Sequence, residues 1–331
     1  MVLVMSCRCA SQKHAAERER GPEPEPVWID TDPAVGVTDR DVDDGFALVQ
    51  AFHTPEIVVR GVSVVFGNTD LEHAEQIARE IAGRAGPAGL GVFRGSASAK
   101  DLGLETPATR ALIAALEHET LTLLVLGPAT NVASVLRLRP DLAPRIRSLV
   151  AVAGRRPGQR FTTGTRNPKA HRDFNFELDS AAFEIILATE IPIVLAPFEV
   201  SSKVWITEAE LQRLEAGPES IRWMIEPARR WLALWQSVFG ADGFNPFDTL
   251  AVAAVARPDL VWCEKIAVSI RVLPDDVSEA RMQGVEPAER SDKPYLLVEA
   301  NTGPEPVRTV TYCHTPSPLF KAWLMERLLS R

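Results

Sequence analysis

Six aspartates, Asp30, Asp32, Asp39, Asp41, Asp43 and Asp44, stand within one short run, VWIDTDPAVGVTDRDVDDGFAL. Carboxylates gathered this closely repel one another at neutral pH, so a fold that brings several together needs a compensating cation or shared protons. The run holds no cysteine or histidine. An all-oxygen donor set suits a hard ion, Ca²⁺ or Mg²⁺, rather than zinc. Four further segments place polar residues where core packing does not call for them: Gly67-Asn68, Gly127-Pro128-Ala129-Thr130-Asn131, Asn167 to Asn175, and Asp248.

These residues sit at the ends of apolar runs. Val27 to Thr31 reads as a short strand that delivers Asp30 and Asp32 to a loop, and Asp44 to Phe52 as the start of a helix. The β-branched run IVVRGVSVVF, 57–66, stops at Gly67-Asn68, and Asp70 is placed to cap a helix to about Gly83. LTLLVLGPATN is an all-apolar strand halted by Gly127-Pro128, and such strands are buried on both faces, as in parallel sheets covered by helices. RSLVAVAG and IPIVLAPF repeat the pattern, with helices between. The alternation predicts an α/β fold: an open, mostly parallel central sheet with helices on both faces. In such a sheet the ligand site lies beyond the carboxyl ends of the strands, where Asp32, Asn68 and Thr130 fall. Further on, Ile221 to Phe239 has helical periodicity that puts Trp231 and Trp235 one turn apart, with core packing their expected role. FDTLAVAAVA starts a helix at Asp248, strands fill most of 262–312, and PLFKAWLMERLL closes the chain as an amphipathic helix.

The 331-residue chain is 46% hydrophobic and 24% charged, the composition of a globular protein, with no apolar run long enough to span a bilayer. A formal charge of −8 disfavours a nucleic-acid partner and suits a small ligand. Residues 1–26, ending in GPEPEP, are expected to be a disordered leader, and 27–331 a single domain. Cys7, Cys9, Cys263 and Cys313 are too sparse and scattered for a disulfide framework or a metal knuckle; Cys7 and Cys9 read as incidental free thiols, with metal binding as the alternative, and a reducing cytoplasm is expected.

In combination and in order, DTDP followed by DD, a strand ending FGN, LGPATNVA, NPKAHRDFN ahead of a helix, and FDTLAVA resemble the inosine-uridine preferring nucleoside hydrolases. The resemblance runs from about residue 27 to the C-terminal helix. It implies Ca²⁺-dependent hydrolysis of the N-glycosidic bond of ribonucleosides, with Asp32 as general base and metal contact. Asp44 would be the bidentate calcium ligand, Thr130 a ligand through its carbonyl, and Asp248 the last protein ligand. Asp43, Asn68, Asn167, Asp173 and Asn175 would bind the ribose, with Asp30 supporting the loop. A homodimer or homotetramer is implied by the same likeness. The chemistry agrees: cleavage builds positive charge on C1′ and the ring oxygen, which carboxylates stabilise, while one carboxylate takes the proton of the attacking water.

Three departures bear on specificity. Ala34 to Val42 puts nine residues between the proline and the aspartate pair, seven more than the family's usual spacing, and Asp39 and Asp41 read as solvated residues of that insertion. Phe247 stands where pyrimidine-accepting members carry a histidine thought to protonate the base. Phe cannot donate a proton but can stack, with Trp231, Trp235 or Phe244 as partners, so a purine is favoured. Asp173 stands where the family has glutamate, and His171 nearby reads as a surface residue with a substitute acid as the alternative. Three other readings compete. The DxD tripeptide also resembles haloacid dehalogenase-like, Mg²⁺-dependent phosphatases. The acidic run imitates part of an EF-hand loop but lacks its glycine and its last glutamate. A binding or specialised descendant of the hydrolase fold is the third.

Overall fold

A computed structural model describes residues 23–164, 166, 169–277, 292–300 and 308–330. Most of the expected leader, the cysteines Cys7 and Cys9, and the expected ribose ligand Asn167 lie outside those residues. The strands are β1 (Glu25–Thr31), β2 (Ile57–Val64), β3 (Val92–Arg94), β4 (Leu121–Val125), β5 (Ile146–Ala151), β6 (Phe161–Thr163), β7 (Lys169–His171), β8 (Ile193–Leu195), β9 (Val261–Pro274), β10 (Asp292–Glu299) and β11 (Thr309–Pro316). All but β6 and β7, which form a small hairpin of their own, join one sheet in the order β10-β9-β11-β8-β5-β4-β1-β2-β3. From β3 to β11 every pairing is parallel, and β9 alone runs against its neighbours. This is the open, mostly parallel α/β sheet that the sequence predicts.

Side chains along β1 alternate between two cores. Val27 and Ile29 join the helices Asp43–Phe52, Leu71–Ala85, Thr249–Ala256 and Phe320–Leu329 on one face, whereas Trp28 joins the helices Pro107–His118, Thr130–Leu138 and Ser180–Leu187 on the other. All five residues of β4 are buried, as its unbroken apolar sequence requires. The chain winds outward from β1 through β2 to β3, then returns to β4 on the other side of β1. The crevice between the carboxyl ends of β1 and β4 is therefore the switch point where open α/β sheets bind ligands.

Three features differ from the sequence reading. β1 starts at Glu25, inside the GPEPEP run, with Pro26 near the strand's beginning, where a missing N–H is tolerated. The long helix expected over 221–239 is instead a short helix Glu219–Arg222, a helix Ile225–Leu234 and a π-helical turn Trp235–Phe239, ended by Gly240 at φ 66°. The expectation of a chain without disulfides fails for one pair. Cys263 and Cys313 face each other across β9 and β11 and form a disulfide with an S–S distance of 2.12 Å. Fifty residues separate them in sequence, so only the strand register reveals the pairing.

Candidate active site

β1 carries the floor of the site. Thr31 donates its hydroxyl to Oδ1 of Asp44, and the Asp32 backbone N–H reaches the same oxygen at 3.2 Å. The acid at the end of β1 is thereby fixed to the helix that opens with Asp43 and Asp44. Asn68, just past β2, donates its backbone N–H to Oδ2 of Asp32 at 2.7 Å and its amide to Oδ2 of Asp44 at 3.2 Å. Asp248, at the start of the helix Thr249–Ala256, donates its backbone N–H to Oδ2 of Asp43 at 3.3 Å. Asp30 faces the other way, into the second core, where its carboxylate accepts the Ser63 hydroxyl and the Asn131 amide, the latter at 2.8 Å.

Two glycines make room for Asp32. A β-carbon at Gly67 would stand 1.9 Å from its Oδ2, and one at Gly127 would stand 2.7 Å from its Oδ1. The FGN and LGPATN motifs thus supply a slot in which no side chain competes with the carboxylate.

Asp41 is a correction to the sequence reading. The insertion folds back so that Asp41 joins the cluster: oxygens of Asp41, Asp43 and Asp44 lie within 4.8 Å of one another. Asp39, at φ 59°, and Arg40 line the cavity above them. Burial is the main force on every acid here. It pushes Asp44 up to about 7, with the charge of Asp43 adding to it, and Asp41 up to about 6. Asp32, Asp43 and Asp248 are also held well above the usual carboxylate range, by burial first and then by their neighbours' charges.

The residues fit a hard divalent cation. Among the described residues no N–H or hydroxyl donor reaches the buried Oδ1 of Asp32, of Asp41 or of Asp43. Orphaned buried carboxylate oxygens are costly, and an oxygen-loving ion among Asp41, Asp43 and Asp44, whose oxygens lie within 4.8 Å of one another, would satisfy that side of the floor, with Asp32 and Asp248 outside this trio. Thr130 is less directly placed. Its carbonyl accepts the Ser134 hydroxyl at 2.7 Å and its own hydroxyl donates to Asp179 at 2.5 Å, and none of its hydrogen bonds among the described residues joins it to the acids.

Above this floor lies a cavity of about 300 Å³, bounded on the acidic side by Asp41, Asp43, Asn68, Asp173, Asn175 and Asp248. That volume is at the small end of the roughly 300–1,000 Å³ usual for small-molecule sites. Asn175 spends its amide on the carbonyls of Leu126 and Val152, at 2.5 and 3.2 Å, bracing the ends of β4 and β5. Asp173 accepts the Gly154 N–H at 2.8 Å, and burial pushes its carboxyl up to about 7. Behind it runs a network that sequence reasoning missed. Glu177 accepts the Asp173 N–H at 2.9 Å and pairs with Lys293 at 2.7 Å and with the buried Arg155 at 3.3 Å, while Arg155 also pairs with Asp276 at 2.7 Å. These partners come from β10 and distant loops, so no local motif announces them.

The opposite wall is aromatic. Phe247 lines the cavity with Trp231 and Trp235, so the tryptophans do more than pack the core. Phe244 does not join them: it is fully buried against Phe46, with ring centroids 6.2 Å apart. His171, read from the sequence as a surface residue, lines the cavity as well.

The chain matches the sequence profile of the inosine-uridine preferring nucleoside hydrolases over residues 27–300. It is 25% identical over 279 residues to the inosine-uridine preferring nucleoside hydrolase of Leishmania major, covering 75% of this chain and 84% of that one. A plant nucleoside hydrolase shares the fold with a TM-score of 0.73 at 21% identity, over 93% of this chain and 100% of that one. The purine-preferring ribonucleoside hydrolase from Gardnerella vaginalis does so with a TM-score of 0.70 at 18% identity, over 92% and 98%. Among the described residues no helix is long and apolar enough to cross a membrane. The match spans most of the chain's length and agrees with the acidic floor at the switch point. The chain belongs to the inosine-uridine preferring nucleoside hydrolases, enzymes that cleave the N-glycosidic bond of ribonucleosides.

Proposed function

We propose that this protein hydrolyses ribonucleosides to ribose and free base in a Ca²⁺-dependent reaction, with Asp32 as general base and purines as the favoured bases. The observation that carries this reading is the set of unpartnered, buried oxygens of Asp32, Asp41 and Asp43 beneath a cavity walled by aromatic rings. Asp32, Asp44, Asp248 and the Thr130 carbonyl are assigned to the ion, with Asp41 joining them from the insertion, and the ion when bound would polarise the attacking water and orient the ribose diol.

Asp32 takes the water's proton as the oxygen attacks C1′. Its backbone N–H tie to Asp44 and the Asn68 N–H on Oδ2 leave Oδ1 free for that task. Asp43, Asn68, Asn167, Asp173 and Asn175 are assigned to the ribose. The negative floor favours the positive charge that grows on C1′ and the ring oxygen. Phe247, 5.9 Å from Phe198 and 6.3 Å from Trp235, supports a wide planar base. A homodimer or homotetramer and a role in nucleoside salvage complete the proposal; the Cys263–Cys313 disulfide removes the cysteine-based support for a reducing cytoplasm.

The phosphatase reading would use Asp30 as a nucleophile. That residue is 1% exposed, faces away from the cavity and is held by Ser63 and Asn131, so the geometry speaks against it. Asp32→Asn tests the hydrolase reading. It is expected to lower ribose release by roughly 1,000-fold or more with an unchanged circular dichroism spectrum; a variant that keeps its rate would remove Asp32 from the mechanism.

A further inference from the structure

The base side of the cavity is a closed circuit of rings. Phe161 stacks on Phe198 at 4.7 Å, Phe198 on Phe247 at 5.9 Å, and Phe247 lies 6.3 Å from Trp235. Trp235 meets Phe239 edge-on at 5.4 Å, and Phe239 meets His171 edge-on at 5.2 Å. The β6–β7 hairpin pairs Phe161 with His171 and closes the circuit. All six residues line the cavity.

Among these rings only the imidazole can give up a proton near neutral pH. The indole N–H of Trp235 can donate a hydrogen bond but does not ionise in water. Among the described residues, the buried Nε2 of His171 has no hydrogen-bond partner. A buried polar nitrogen left alone costs free energy, and a heterocycle seated against the rings would offer it an acceptor. The neighbouring Arg172 does not compete for this place, since its guanidinium pairs with Glu177 at 2.8 Å and Asp275 at 2.9 Å.

Resting on the hydrolase reading above, we propose that His171 is the leaving-group acid of this enzyme. As the C1′–N bond breaks, its electron pair passes to the base, and a ring nitrogen of the base takes the Nε2 proton of protonated His171. Water supplies the oxygen that bonds to C1′, and its proton goes to Asp32. Transfer of that proton through solvent to the neutral imidazole restores both residues, so the sum is nucleoside plus water giving ribose plus neutral base. Burial lowers the pKa of His171 below its usual 6.5, which makes the protonated ring a stronger acid. The residue comes from the hairpin and not from position 247, so one chain can combine a stacking ring with an acid.

The test compares leaving groups that need a proton with one that does not. His171→Phe keeps the edge contact to Phe239, and His171→Gln keeps a polar group; both are assayed as full-length, calcium-loaded protein. With inosine and uridine, kcat is expected to fall by roughly 100-fold in either variant. With 4-nitrophenyl β-D-ribofuranoside, whose phenolate leaves unprotonated, it is expected to stay within about 3-fold, with unchanged calcium affinity and Tm. Equal losses on both substrate types, or no loss on nucleosides, would overturn the assignment. A wild-type protein that cleaves the nitrophenyl riboside but no nucleoside would overturn it too, while leaving the metal-assisted cleavage of ribosides standing. Cleavage of neither by the wild type would instead overturn the hydrolase reading itself, and the acid with it.

Discussion

A β-carbon on Gly67 would stand 1.9 Å from Oδ2 of Asp32. That oxygen accepts the Asn68 N–H at 2.7 Å, so the glycine and the hydrogen bond that follows it define one position for the carboxylate. Gly67→Ala must push Asp32 off this position or move the loop after β2, and Gly67 at φ 156° leaves little backbone latitude. The expected outcome is loss of stability of roughly 1–3 kcal/mol by chemical denaturation and at least about a 100-fold loss of ribose release. Full activity in this variant would mean that Asp32 does not need its slot.

Asp41 makes the second prediction. Its oxygens lie among those of Asp43 and Asp44, although it belongs to the inserted loop. Asp41→Asn removes one negative charge from the floor and is expected to weaken calcium binding by about tenfold in isothermal titration calorimetry, or about 1.4 kcal/mol. An unchanged dissociation constant would return Asp41 to the role of a loop residue.

Stability should depend on pH in a direction set by burial. Asp41, Asp44 and Asp30 have folded pKa values of about 6, 7 and 7, all above the ordinary 3.8. Each therefore binds its proton more tightly in the folded state, contributes most below 3.8, and loses that contribution as pH rises through the folded value. A cation relieves the repulsion among the ionised acids of the floor. The gain in Tm on adding calcium to metal-free protein is expected to grow by roughly 5 °C or more between about pH 5 and about pH 8. A gain that is flat over this range would mean that the acids are ionised throughout.

Much of this site was legible in the sequence because it is written in contiguous motifs at strand ends. Asp32, Asn68 and Asp248 each follow or open a regular element, and the unbroken apolar run of β4 marks a sheet buried on both faces. What escaped depends on contacts between distant segments. Asp41 is drawn inward by the path of a seven-residue insertion, which spacing alone does not reveal. Phe161, Phe198 and Phe239 become one wall only when the hairpin, the short helix Phe198–Ser201 after β8 and the π-helical turn meet. His171 reads as a surface residue because nothing in its own segment signals the hairpin that pairs it with Phe161. Cys263 and Cys313 required the β9–β11 register.

If the buried carboxylates work through a metal ion on a ribonucleoside, removing the ion must stop the reaction and restoring it must bring the reaction back. Ribose release from inosine, adenosine, guanosine, uridine and cytidine is the quantity to follow, before chelation, after it, and after calcium is restored. Release is expected from the native protein, fastest with a purine nucleoside, with a loss of roughly 100-fold or more on chelation and recovery with calcium. A rate untouched by chelation, or no ribose from any of the five, would rule out metal-assisted nucleoside hydrolysis at this site.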